Sequence, residues 1–344
     1  MKIALFGAGR IGKVHAATIS ANPRAELASV VDPHHPSAER LAAQYQVPVM
    51  SEAEALADPG IDAVLIASST DQHARQIVAA ANAGKAIFCE KPIDLDLARV
   101  RGVVSHLEAN PVPFMIGFNR RFDPNFVALK AQINAGAIGQ VELVTLLSRD
   151  PGLPSIDYIR RSGGLFRDMM IHDFDMARFL VGEEFSEVTA LGSVLIDPQV
   201  GEAGDIDSAG VMLKTASGKL VSITNSRRAT YGYDQRIEVQ GSRGMLQAEN
   251  LRESTVILSN AAGVRLEKPL HFFLERYAQA YVKEVEAFVG LVLEGDRSPR
   301  STLPSALPSA QDGLKALELA EMAAASLSQK RTADRSAKPS REAL

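Results

Sequence analysis

Cysteine is almost absent. The single residue, Cys89, excludes an internal disulfide and suits a reducing compartment. A long apolar run is also missing, so no segment reads as a transmembrane helix. The opening Met1-Lys2-Ile3-Ala4-Leu5-Phe6 is apolar but runs straight into glycines. It lacks the long apolar region and cleavage site of a signal peptide, so a cytoplasmic protein is expected. Strong charge of either sign is missing too. A net charge of −4 gives no reason to expect nucleic acid or a membrane as partner. There is no internal repeat. What is there is 344 residues of ordinary globular composition, comfortable for two domains.

Residues 2–6 form a continuous apolar run, as in a strand buried on both faces of a parallel sheet. Gly7-Ala8-Gly9-Arg10-Ile11-Gly12 follows, then a helical pattern to about Ala21. A second apolar run from Ala25 to Val31 ends at Asp32. This is G-x-G-x-x-G in its required context of strand, turn, helix, strand and acid. Gly7 allows the tight turn, Gly9 lets backbone approach a pyrophosphate, and Gly12 lets helix and sheet pack closely. The helix start, at Arg10 and Ile11, supplies free N–H groups for phosphate. Asp32 can accept from the adenosine ribose and repels a 2′-phosphate, which favours NAD over NADP. His34 and His35 read as a solvated loop; as phosphate partners they would soften that preference.

The alternation continues. Helical patterns over 37–45 and 52–57 precede a buried strand at 63–67. Ser68, Ser69, Thr70 and His73 follow its carboxyl end, where open α/β sheets bind ligands. Their hydroxyls can contact the cofactor or merely cap the helix expected over 71–83. A strand at 86–89 leads to Glu90-Lys91-Pro92. Helix 94–109 and strand 113–118 complete a doubly wound α/β sheet, the dinucleotide-binding domain over 1–120.

From 121 to 328 the pattern is α+β. Strand-like segments at 141–147, 187–196, 209–214, 219–226, 235–239, 245–248 and 255–258 suggest one broad, open, mainly antiparallel sheet. A sheet face of that size is covered by helices or by another subunit. Long helical patterns span 272–293 and 303–328. Residues 329–344 lack apolar periodicity and are expected to be a flexible tail.

Two stretches carry chemistry. Gly163 to Asp175 opens a helix expected to run to Val181 and stop at Gly182. Asp168 and His172 are four apart, so one helix would place them on one face. A carboxylate there can hold the imidazole and raise its basicity; the plainer alternative is an exposed i,i+4 pair. Proline holds Lys91 extended at the sheet edge where the nicotinamide end belongs. A lysine there can stabilise a developing alkoxide; otherwise it is a surface lysine.

Gly7–Gly12, Glu90-Lys91-Pro92 and Gly163-Gly164…Asp168-x-x-x-His172 together resemble the glucose–fructose oxidoreductase/inositol dehydrogenase family (Gfo/Idh/MocA). The resemblance spans all but the tail. Phe118–Asp123, Ser148–Pro151 and Tyr231–Asp234 look like the pocket segments of its inositol-oxidising members. It implies a Rossmann domain, an open-sheet domain, and a homotetramer or homodimer packed through that sheet. It also implies a cis peptide between Lys91 and Pro92. Lys91, Asp168 and His172 match the family's catalytic group, with Glu90 and Lys91 beside the cofactor. Arg121, Asp150, Tyr231 and Tyr233 match positions near the polyol. Arg121 otherwise reads as an ion-pair partner of Asp123 or Asp150. The two tyrosines, two apart at the start of a strand, would point the same way.

The activity implied is NAD-dependent oxidation of a cyclitol's secondary hydroxyl, myo-inositol to 2-keto-myo-inositol. His172 would act as base, Lys91 would stabilise the alkoxide and Asp168 would orient His172. No metal is expected, since one cysteine cannot complete a zinc-like Cys/His set. Competing readings are oxidation of scyllo-inositol, glucose or a related sugar, an NAD-using glycoside hydrolase, and a non-catalytic cofactor sensor.

Overall fold

The computed structural model describes residues 1–295 and 307–332. Its first part alternates strand and helix: β1 (Lys2–Phe6), α1 (Arg10–Ala21), β2 (Glu26–Val31), α2 (His35–Tyr45), α3 (Glu52–Ala57), β3 (Ala63–Ile66), α4 (Thr70–Asn82), β4 (Ala86–Glu90), α5 (Leu97–Ala109) and β5 (Phe114–Gly117). All neighbouring strands are parallel, in the order β2-β1-β3-β4-β5. Ile3 to Phe6 and Ala63 to Ile66 are fully buried, which is why these strands read as unbroken apolar runs. The order reverses between β1 and β3, so their carboxyl ends border a crevice. Gly7 sits there with φ +108°, and a Cβ on it would stand 2.4 Å from the Ala67 carbonyl oxygen.

A 3₁₀ turn at Asn119–Phe122 leads into the second part: α6 (Pro124–Asn134), β6 (Val141–Arg149), α7 (Ile156–Arg161), α8 (Leu165–Asp168), α9 (Ile171–Val181), β7 (Phe185–Ser193), α10 (Pro198–Glu202), β8 (Ser208–Thr215), β9 (Leu220–Ser226), β10 (Asp234–Gly241) and β11 (Gly244–Ala248). These strands form one sheet in the order β11-β10-β6-β9-β8-β7, antiparallel except where β6 meets β9. One face packs on α9 and the last helix. The other exposes Leu143, Leu191 and Met212 among polar side chains.

Three expectations are corrected. The last expected strand does not join the broad sheet. β12 (Ile257–Asn260) pairs only with β13 (Gly263–Leu266), across a tight turn that offers it a local partner. The helix expected over 272–293 is two, α11 (Phe273–Arg276) and α12 (Ala278–Glu294), parted where Tyr277 leaves helical geometry. The helix expected over 163–181 is also two, since Met169 and Met170 interrupt it.

The last helix, α13 (Ala310–Thr332), includes 329–332, which the sequence assigned to a tail; 333–344 and the expected helix start at 303–306 lie outside the described residues. α13 is keyed to both sheets. A Cβ on Gly313 would stand 2.7 Å from Ile116 and 2.9 Å from Ile93. At its far end the Ser326 hydroxyl accepts from the Ala190 N–H of β7 at 3.0 Å. Among the described residues no helix is long and apolar enough to cross a membrane.

Candidate active site

The glycine turn fits a dinucleotide. A Cβ on Gly12 would stand 2.0 Å from the Gly7 carbonyl oxygen, so α1 is held against the turn. A Cβ on Gly9 would meet nothing within 4 Å, which leaves the approach to the first N–H groups of α1 open. Asp32 Oδ2 accepts from the Ala8 N–H at 2.7 Å and Oδ1 from the His34 N–H at 2.8 Å. The carboxylate is thereby fixed beside the turn, and each oxygen keeps a lone pair for a ribose hydroxyl. The Arg10 guanidinium lies over the Phe272 and Phe273 rings, tying the turn to the second part.

Ser68, Ser69 and Thr70 stand at the carboxyl end of β3. Ser68 donates to Gln76 Oε1 at 2.6 Å, and Thr70 opens α4. His73 departs from expectation. It is buried, with Nδ1 2.8 Å from the Pro92 carbonyl and Nε2 3.1 Å from the Ser68 carbonyl. Burial lowers its pKa, so it stays neutral. It braces the Lys91–Pro92 segment from behind rather than facing a ligand. The Lys91–Pro92 bond is cis.

Lys91 and Asp168 meet. Lys91 Nζ donates to the Asp168 carbonyl at 2.8 Å and lies 3.7 Å from its Oδ1. Asp168 Oδ1 accepts from the Tyr158 hydroxyl at 2.8 Å, and Oδ2 from Arg227 at 3.4 Å. His172 sits on α9 beside them, its ring edge-on to Phe118. The expected Asp168–His172 hydrogen bond is absent among the described residues, because the break at Met169–Met170 separates the two turns. His172 Nδ1 is buried without a partner, leaving Nε2 to meet a substrate. Burial, with Lys91 and Arg120 nearby, holds the ring's pKa well below the usual histidine range. A neutral imidazole can take a proton.

Asp150 follows the end of β6. Burial pushes its pKa up to about 6 against the pull of Arg227, with Asp168 adding to the rise. Arg120 and Arg121 part company. Arg120 Nη1 reaches Asp173 at 2.5 Å and Ser148 at 3.3 Å on the site side. Arg121 is the correction. Its guanidinium is fully buried and held by Asp175 at 2.8 and 2.5 Å, with Asp312 at 3.0 Å. Among the described residues its acidic partners are Asp175 and Asp312, not Asp123 or Asp150.

The tyrosines do not point the same way. Tyr231 lies in a turn, 39% exposed, accepting from Arg149 at 3.0 Å and donating to Asp234 at 2.5 Å. Gly232, at φ +128°, reverses the chain, and Tyr233 is buried edge-on against Tyr277, with Arg120 and Asp150 nearby. Arg120 lay in the expected pocket segment Phe118–Asp123 without a role of its own, and Tyr158 and Arg227 were not foreseen. The only sequence signal was a basic pair at 120–121 opposite acids spaced two apart at 173 and 175.

Two family models match the chain: an oxidoreductase family with an NAD-binding Rossmann fold over residues 1–118, and a GFO/IDH/MocA C-terminal domain over 126–247. An inositol 2-dehydrogenase of Rhizobium meliloti is 52% identical over 96% of this chain and 98% of its own. A myo-inositol 2-dehydrogenase of Thermotoga maritima is 45% identical over the same shares. The crystal structure of a Lactobacillus casei scyllo-inositol dehydrogenase with bound NAD(H) and scyllo-inositol superposes with a TM-score of 0.87 at 28% identity, covering 96% of this chain and 97% of that one.

Proposed function

The chain belongs to the Gfo/Idh/MocA oxidoreductase family, and from that premise we propose that it oxidises a cyclitol hydroxyl, myo-inositol to 2-keto-myo-inositol, with NAD. The observation that carries this reading is the meeting of Lys91 with Asp168 and His172 at the carboxyl end of β4. Bound NAD would supply the acceptor for the hydride of the carbinol carbon. Gly9 and the start of α1 would hold its pyrophosphate, and Asp32 its ribose.

His172 Nε2 takes the hydroxyl proton. Lys91 has given one N–H to the Asp168 carbonyl, and its remaining donors stabilise the developing alkoxide. Asp168, braced by Tyr158 and Arg227, fixes Lys91 in place. Asp150 and Tyr233 offer the uncharged polyol fixed acceptor and donor positions.

Initial rates over a panel of cyclitols and aldoses, with NAD and NADP, test the reading. Myo-inositol with NAD is expected to give the highest kcat/KM. No NADH from any polyol would sink the proposal, and hydrolysis of a glycoside without net NADH would replace it with the hydrolase reading. The L. casei relative's bound ligand makes scyllo-inositol the first competitor to compare.

Asp150 sets an acid limb. As a carboxylate it accepts from a substrate hydroxyl, and protonation removes that acceptor. Because its pKa stands at about 6, kcat/KM is expected to fall as pH drops through about 6. Asp150→Asn should lose that limb along with part of its rate. A limb that persists in the variant would assign it to another group.

The open sheet face, with Leu143, Leu191 and Met212 exposed, supports self-association as a homodimer or homotetramer. A single-chain mass by sedimentation equilibrium would refute it.

A further inference from the structure

Behind the strand end that carries Lys91 lies a polar cluster the reaction does not use. His15 on α1 and Glu284 on α12 are fully buried, and the Glu90 side chain on β4 is 14% exposed. One ligating atom from each lies within 4.8 Å of the others. His15 Nε2 meets Glu90 Oε1 at 2.6 Å. His15 Nδ1 and both Glu284 carboxyl oxygens have no hydrogen-bond partner among the described residues. The surrounding wall is aromatic, with His15 edge-on to Phe88 and Tyr281 at 5.2 and 5.8 Å, and Phe288 beyond Phe88. Gly117 on β5 leaves room for Glu90, since a Cβ there would stand 3.1 Å from Glu90 Oε2.

The titratable groups facing Glu284 are Glu90 from β4, His15 from α1 and Tyr281 on its own helix. None brings a fixed positive charge. Two carboxylates cannot both ionise in such a space, so one proton must remain between them. A bound cation would answer the same problem, but the spacing argues otherwise. Two ligands of one tetrahedral zinc, at bonds of about 2 Å, stand about 3.3 Å apart. His15 and Glu90 are at 2.6 Å, the length of a hydrogen bond.

We propose that His15, Glu90 and Glu284 form a buried proton-sharing triad that positions the strand end carrying Lys91. The proton kept on Glu284 faces Glu90, which is anchored from its other side by His15. Glu90 in turn fixes the backbone one residue before Lys91.

The test is Glu284→Gln, which keeps a neutral donor of the same shape. Burial and Glu90 raise Glu284 well above its ordinary value of 4.5. A raised carboxyl contributes stability that is complete below the unfolded-state value and lost as pH rises through the folded-state value. The wild-type melting temperature is therefore expected to fall as pH rises above the ordinary carboxylate range. Glu284→Gln should flatten that fall, and be the more stable protein only at the alkaline end. The infrared carbonyl band of a protonated carboxyl at neutral pH should be present in the wild type and missing from the variant.

A third readout rests on the dehydrogenase reading. Glu284→Ala should lower kcat about tenfold with KM for NAD unchanged, the scale of a slightly misplaced Lys91, and Glu284→Gln should restore it. Melting and infrared data need no turnover, so failure of the activity reading stays distinguishable from failure of the triad. An unchanged pH profile in Glu284→Gln, no lost carboxyl band, or one metal ion per purified chain would each overturn the proposal.

Discussion

Replacing His172 with alanine is expected to lower kcat for myo-inositol by about 10²- to 10⁴-fold, the usual contribution of a positioned general base. The dissociation constant for NAD should stay unchanged. His172 stands on α9, and neither ring nitrogen bonds the glycine turn or Asp32. Its Nδ1 has no partner, so truncation breaks no hydrogen bond there and the fold should survive. Fluorescence titration of NADH against stopped-flow turnover separates the two effects. Turnover close to wild type would remove His172 from the role of base. Partial recovery by added imidazole would strengthen it.

Replacing Arg121 with alanine is expected to destabilise the protein strongly rather than raise KM. Arg121 holds Asp175, itself 1% exposed on its side chain, and also contacts Asp312. Arg178 shares Asp312 at 2.9 Å, so four charges are locked in one dry network. Removing one partner of a buried pair costs about 3–5 kcal/mol, because the remaining charge is stranded. A typical domain has about 5–15 kcal/mol in all. Denaturant titration should show a large fall in midpoint, with any folded fraction keeping its KM. A stable variant with a raised KM would restore Arg121 to the polyol.

The buried Arg121 network separates what the sequence makes legible from what it hides. The glycine turn, Asp32 and the parallel strands were readable because their constraints are local. A buried strand must be apolar throughout, and a turn pressed against a helix admits only glycine. Lys91, Asp168 and His172 were readable because three motifs at fixed spacing belong to one known family. The roles within the group were less so. Asp168 and His172 share a spacing that suggests one helix, but Met169 and Met170 break it and turn the carboxyl toward Tyr158.

Neighbouring identical residues hide more. Arg120 and Arg121 differ only in the side of a single 3₁₀ turn they leave from, yet one faces Asp173 and the other Asp175. Tyr158 on α7 and Arg227 just past β9 reach the site from separate elements, and no periodicity encodes such long-range meetings. Glu284 is the extreme case. A glutamate on a long amphipathic helix looks solvated, and only the packing of α12 against α1 buries it.

The last helix has a mechanical consequence. Gly313 seats it on Ile93 and Ile116, while Ser326 fastens its far end to β7, so one rod spans both jaws of the crevice. Prising the jaws apart would lift that rod off a close-packed seat. Widening the gap therefore costs the contacts of that seat as well as those of the crevice walls.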